Sequence, residues 1–152
     1  MKKYNKVVIA SELFERAHDQ FVAAKSEMDD ATSLLLSGAV VGIIAPLVAE
    51  QGGHPTHDLL ARIGNINSKK DDEKHHAGLY RAVYNSLKHA GNQWKNIKPS
   101  EDLEFETDIR LEAARMLDAA KADFKQITVP SDILQQCSQS FIGLLESEHE
   151  YA

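Results

Sequence analysis

From Ala31 to Ala49 the chain reads ATSLLLSGAVVGIIAPLVA, nineteen residues without a charge. A run this long and apolar has two solutions: it crosses a membrane, or it forms a helix enclosed by the rest of the protein. The flanks favour enclosure. Asp29, Asp30 and Glu50 stand where Lys or Arg would anchor a span, no aromatic belt marks either end, and Thr32, Ser33 and Ser37 dilute the apolarity. No membrane association is therefore expected. Pro46 should kink or end the helix. Gly38 and Gly42, one turn apart, mark where a neighbouring helix backbone would cross closely.

A buried helix needs amphipathic neighbours, and the sequence supplies them. Leu13, Phe14, Ala17, Phe21, Ala24 and Met28 form a helical stripe over residues 11–28, with Ser11 as N-cap and His18 at its border. Gly52-Gly53 breaks the chain, and Pro55 suits the first turn of a short helix through Leu59, Leu60 and Ile63. Asn65 to Asp72 reads as a polar connector, followed by a helix from Asp72 or Glu73 that fades at Gly91-Asn92. After a loop containing Pro99, Ser100-Glu101-Asp102 resembles a cap and acidic first turn. The helix it would start buries Ile109, Ala113, Met116, Leu117, Ala120 and Phe124. Beyond Val129-Pro130-Ser131, a last helix carries Ile133, Leu134, Cys137, Phe141, Leu144 and Leu145. Strand alternation and hairpin turns are lacking. The expectation is one all-α domain over residues 1–152, core about 11–146, built as a bundle of four long helices plus one or two short ones.

Charge is unevenly spread. Six Lys and Arg face eight Asp and Glu over residues 1–68, seven face three over 69–98, and four face twelve over 99–152. The net charge of −6 argues against a generic grip on nucleic acid, but the basic third could hold an anion locally. Cys137 is the single cysteine, so no disulfide forms within the chain, and a reducing compartment is the natural setting. Lys2, Lys3 and Lys6 precede only the brief apolar run Val7–Ala10, too short for a secretory core; a cytoplasmic location is expected.

The basic third contains GLYRAVYNSLKHAGNQW, Gly78 to Trp94. On a helical wheel with Arg81 at zero, Asn85, His89, Lys88 and Asn92 fall at about 40°, 80°, −20° and 20°. Leu79, Ala82, Val83, Ser86, Leu87 and Ala90 take the other side, with Tyr84 at the border. A purely solvated helix face usually carries Glu, Lys and Gln. This one has no carboxylate between Lys74 and Pro99 and offers a guanidinium, amides, an ammonium and an imidazole. Such groups suit a phosphate or phosphodiester: Arg81 could grip it bidentately, Asn85 could hold a hydroxyl, and His89 could exchange a proton near neutral pH.

YNSLKHA resembles the Asn-x-x-x-His core of the HEPN superfamily of all-helical nucleotide- or RNA-binding domains. Its position after DDATSLLLSGAVVGII and before EAARMLDAA is similar to that in small bacterial HEPN-like proteins, over roughly residues 11–127. In active HEPN ribonucleases the motif Arg and His of two subunits meet at a dimer interface and cleave RNA without metal or cofactor. The resemblance thus implies a homodimer that binds RNA or a nucleotide through Arg81, Tyr84, Asn85, Lys88 and His89. Within that set it implies His89 as general acid/base and Asn85 as its polar partner, with Arg81 the nearest cation. Tyr84 stands at the motif Arg position, and a phenol cannot stabilise a developing phosphorane as a cation does. Two readings stay open: catalysis is lost, or Arg81 serves from one turn earlier. A non-catalytic dimerisation or protein-interaction module would use the same face.

His54, His57 and Asp58 in GGHPTHD have spacing compatible with a metal, with His75 and His76 as distant completions. Neither pair forms a recognisable metal motif, so loop and cap histidines are expected and no metal site. Walker-type loops, HExxH and GxSxG are absent.

Overall fold

The computed structural model describes residues 1–68, 78–91 and 96–152, with residues 65–68 described through their backbone only. The fold is all-α. Three long helices form its body: α1 (Lys6–Val22), α2 (Glu27–Glu50) and α5 (Ile109–Gln126), with α2 packed extensively on both others. Around them lie α3 (Thr56–Ser68), α4 (Ala82–Lys88), α6 (Ser131–Leu134) and α7 (Gln139–Glu146). The chain's longest run of uncharged residues is thus the central helix. By length and composition α2 could also cross a membrane.

Several helix boundaries differ from expectation, each for a local reason. α1 starts at Lys6 because Asn5 Oδ1 accepts from the N–H groups of Val7 and Val8 at 2.8 and 3.3 Å. Ser11 is therefore not the cap but a buried position whose hydroxyl donates to the Val8 carbonyl. Ser26 and Asp29 form a capping box that starts α2 at Glu27, which removes Ala24 from α1 and leaves Met28 exposed on α2. α3 continues to Ser68, through half of the expected connector. Asp108, not Ser100, caps α5 by accepting from Leu111 N–H, and Pro99–Glu101 is a separate 3-10 turn. Ser138 caps α7, so the expected last helix is two short ones. The start expected at Asp72 or Glu73, and His75 and His76, lie outside the described residues.

Phe14, Phe124 and Phe141 hold the core, edge to face, with centroids 4.9–6.2 Å apart. Serines on α2 sit inside without cost because the backbone accepts from them. Ser33 Oγ donates to Ala17 O across the α1 contact, and Ser37 Oγ donates to Ser33 O, both at 2.8 Å.

α2 is not buried all round, however. Leu35, Gly42 and Pro46 share an exposed face. Pro46 leaves the Gly42 carbonyl without its helical donor, and on this face water can supply one, so the helix continues to Glu50. Gly42 has no described residue within 4 Å of where a Cβ would lie, which corrects the expected crossing there; of the two, Gly38 alone is in close contact.

Two glutamines place α3. Gln126, at the end of α5, accepts from His54 N–H and donates to His54 O, at 3.1 and 3.0 Å. Gln51 makes the same reciprocal pair with Thr128, at 2.7 and 3.2 Å. The link between α2 and α3 is thereby tied to the end of α5.

Candidate functional site

The predicted polar stripe is shorter than its sequence suggests. α4 ends at Lys88, and His89 is extended (φ −136°, ψ 138°), so it leaves the helical register of Arg81 and Asn85. The cause lies two residues on. Gly91 has φ 81°, and its N–H donates to Asp102 Oδ2 at 2.7 Å. This turn stops the helix and gives Asp102 a role other than starting the next one. Asn85, Lys88 and His89 are exposed, and Asn92 lies outside the described residues.

Tyr84 faces inward. Its ring packs so closely on Gly38 of α2 that a Cβ there would lie 2.3 Å from ring carbon Cδ2. Val83 and Leu87 join it against the core, and Lys88 Nζ lies 4.7 Å from the ring centroid. The residue at the motif Arg position is thus a packing residue. Leu79, Ala82, Ser86 and Ala90, expected on the apolar side, are exposed.

Arg81 reaches α3. Its Nε donates to His57 Nδ1 at 3.1 Å. A guanidinium can only donate, so Nδ1 must accept and the imidazole proton sits on Nε2. His57 is almost fully buried, and its ring lies nearly parallel to that of Tyr80, with centroids 6.0 Å apart and planes at 11°. Burial, reinforced by the Arg81 charge, pushes its pKa down to about 4. His57 is therefore neutral near pH 7, with one tautomer selected.

Asp123 of α5 sets the position of His57. Its Oδ1 accepts from both Thr56 N–H and Thr56 Oγ1 at 2.7 Å, capping α3 from another helix. The carboxylate is buried and its Oδ2 has no hydrogen-bond partner among the described residues. Burial raises its pKa; the two Thr56 bonds and Arg81 pull the other way, and Asp58 adds to the rise.

Beside this cluster opens a cavity of about 1050 Å³. Its walls are the start of α3 (Thr56, His57, Leu60), Leu79 and Tyr80, one face of α5, and the segment 147–152. That segment is strapped to α5. Lys121 Nζ donates to Ser147 O, Ser147 Oγ and His149 O at 2.8–2.9 Å, and Asp118 accepts from the N–H groups of Tyr151 and Ala152 at 2.9 Å. Tyr151 and His18 Nδ1 hydrogen-bond at 2.7 Å, so His18 holds the strap and is more than a border residue.

Arg81 is the one expected site residue that bonds a cavity wall; Tyr84, Asn85, Lys88 and His89 do not line it. Tyr80, Thr56 and Asp123 carry no expectation from the sequence, and His57 only that of a metal ligand or of a loop or cap histidine. Asp123 carries a legible signal, an acid three residues after Ala120 on an otherwise apolar stripe. His57 looked like half of a metal pair, but its Nδ1 is taken by Arg81, and no three potential ligands cluster among the described residues. Comparison with protein-family models, curated proteins and solved structures finds no match for this chain.

Proposed function

We propose that the chain is a HEPN-like, cytoplasmic, dimeric protein that binds RNA or a nucleotide without cleaving it. One observation carries the reading: Arg81 begins α4, with exposed Asn85, Lys88 and His89, and also buttresses the His57–Tyr80 wall of the cavity. Nucleic-acid backbone and base would thus be met by adjoining surfaces. Binding is favoured over cleavage on three counts. Tyr84 is neutral and packed on Gly38, the Arg81 Nε is engaged by His57, and no side-chain hydrogen bond among the described residues fixes His89. The test is fluorescence anisotropy of a labelled oligoribonucleotide, with the RNA recovered intact afterwards. Lys88→Glu should weaken binding severalfold and reduce its dependence on salt. Cleavage of the RNA by the purified parent, abolished in His89→Ala, would overturn the non-catalytic reading.

A second reading has its own observation. Leu59, Leu60, Ile63 and Leu79 are large apolar side chains exposed on and beside α3. A non-catalytic protein-interaction module would use them. It predicts that Leu59→Lys with Ile63→Lys changes the molar mass measured by light scattering, while no oligonucleotide binds at any salt concentration.

A further inference from the structure

We infer that the cavity beside α3 is a recognition pocket for a neutral planar heteroaromatic ring, with His57 Nε2–H as its hydrogen-bond donor and Tyr80 as its stacking wall. The choice of nucleobases as the ring class rests on the nucleotide-binding reading above. The donor follows from geometry. Arg81 obliges His57 Nδ1 to accept, so Nε2 carries the proton, and that N–H has no hydrogen-bond partner among the described residues. His57 is 4% exposed and lines the cavity, so a ligand's ring nitrogen or carbonyl there would accept from that N–H in place of water. Asp123, by capping Thr56, positions the ring without touching the ligand.

Tyr80 supplies the second element. One face of its ring lies along His57, yet the residue stays 40% exposed in the cavity wall, which leaves aromatic surface for a base. Charge supplies the third. Among the cavity's cations, Lys121 is spent on the 147–152 segment, and Arg115 pairs with Glu112 at 3.0 Å. Lys125 then stands against Glu148 and Glu150. A phosphate would meet net repulsion here, whereas an uncharged ring would not. Phosphates belong outside the cavity, toward exposed Lys88.

The probes are uridine, guanosine and ribose 5-phosphate, titrated into the ¹⁵N-labelled full chain and followed through the imidazole nitrogens. In the free protein His57 should show the Nε2–H tautomer. A nucleoside should shift its Nε2 signal, and ribose 5-phosphate should not. His57→Phe should weaken nucleoside binding about tenfold, and Tyr80→Leu, at an exposed position that tests the same pocket should the first variant misfold, by a similar factor. If ribose 5-phosphate alone shifts His57, the cavity is a phosphate site and the inference falls. If the oligoribonucleotide binds but neither nucleoside perturbs His57 at millimolar concentration, the pocket falls while the RNA-binding reading stands. If neither oligonucleotide nor nucleoside binds, both fall.

Discussion

His57 is held neutral by two costs of charging it: loss of water and the neighbouring Arg81. The sign of the pH dependence follows. An unfolded chain takes up the proton near the ordinary value of 6.5, the folded one only near 4. This contribution to stability is therefore complete above pH 6.5 and disappears as pH falls toward 4, amounting to about 3 kcal/mol over the window. His18, lowered chiefly by burial, adds a fall of the same sign. Asp123 works oppositely: its raised value lets the folded state take up a proton before the unfolded one, which returns some stability at the acid end. Urea midpoints should decline between pH 7 and pH 4.5, and His57→Gln, which can still accept from Arg81, should flatten much of the decline. An identical slope in that variant would mean His57 is not the titrating group. Asp123→Ala strands the Thr56 N–H and hydroxyl and should cost about 1–3 kcal/mol by the same measurement.

At the scale of elements, the two glycines of α2 are equivalent in sequence and opposite in structure. Gly38 receives the Tyr84 ring; Gly42 faces open space. Gly38→Ala should lose about 1–3 kcal/mol through overpacking. Its loss should not add to that of Tyr84→Ala, since removing the ring removes the clash. Gly42→Ala should instead gain up to about 1 kcal/mol, the ordinary helix preference of alanine over glycine. Chemical denaturation of the parent, the three single variants and the Gly38→Ala/Tyr84→Ala double variant checks all three statements. The Gly38 contact also explains the shape of α4. A helix that seats its Tyr on α2 and then meets the Gly91–Asp102 turn has only two turns in which to display polar groups.

At the scale of the whole molecule, the segment 147–152 closes one cavity wall through Asp118 and Lys121 of α5. Lys121 is buried with its ammonium on two carbonyls and a hydroxyl, and burial lowers its pKa. Asp118→Ala should release the Tyr151 and Ala152 amides, seen as loss of their protection in hydrogen exchange, while the α1–α2–α5 core keeps its own. Retained protection would show that Lys121, the His18–Tyr151 hydrogen bond and the edge-on packing of Tyr151 on Phe21 at 5.7 Å hold the strap without Asp118.

The sequence by itself determined the class and the centre of this protein. An uncharged run nineteen residues long has to be enclosed or membrane-bound, and the periodic stripes flanking it carried the apolar faces that enclose it. Ala113, Met116, Leu117, Ala120 and Phe124 are buried as that periodicity required. Helix ends were less legible, because Asn5, Ser26 and Asp108 compete with equally plausible caps nearby, and only the surrounding backbone selects among them. The cavity was not legible at all. His57, Arg81 and Asp123 are distant in sequence, and their individual periodicities say nothing of one another. Tertiary packing alone brings an acid from α5 onto the first residue of α3, and a guanidinium onto the second. Side-chain contacts between helices obey geometry in space, which no repeat along the chain encodes.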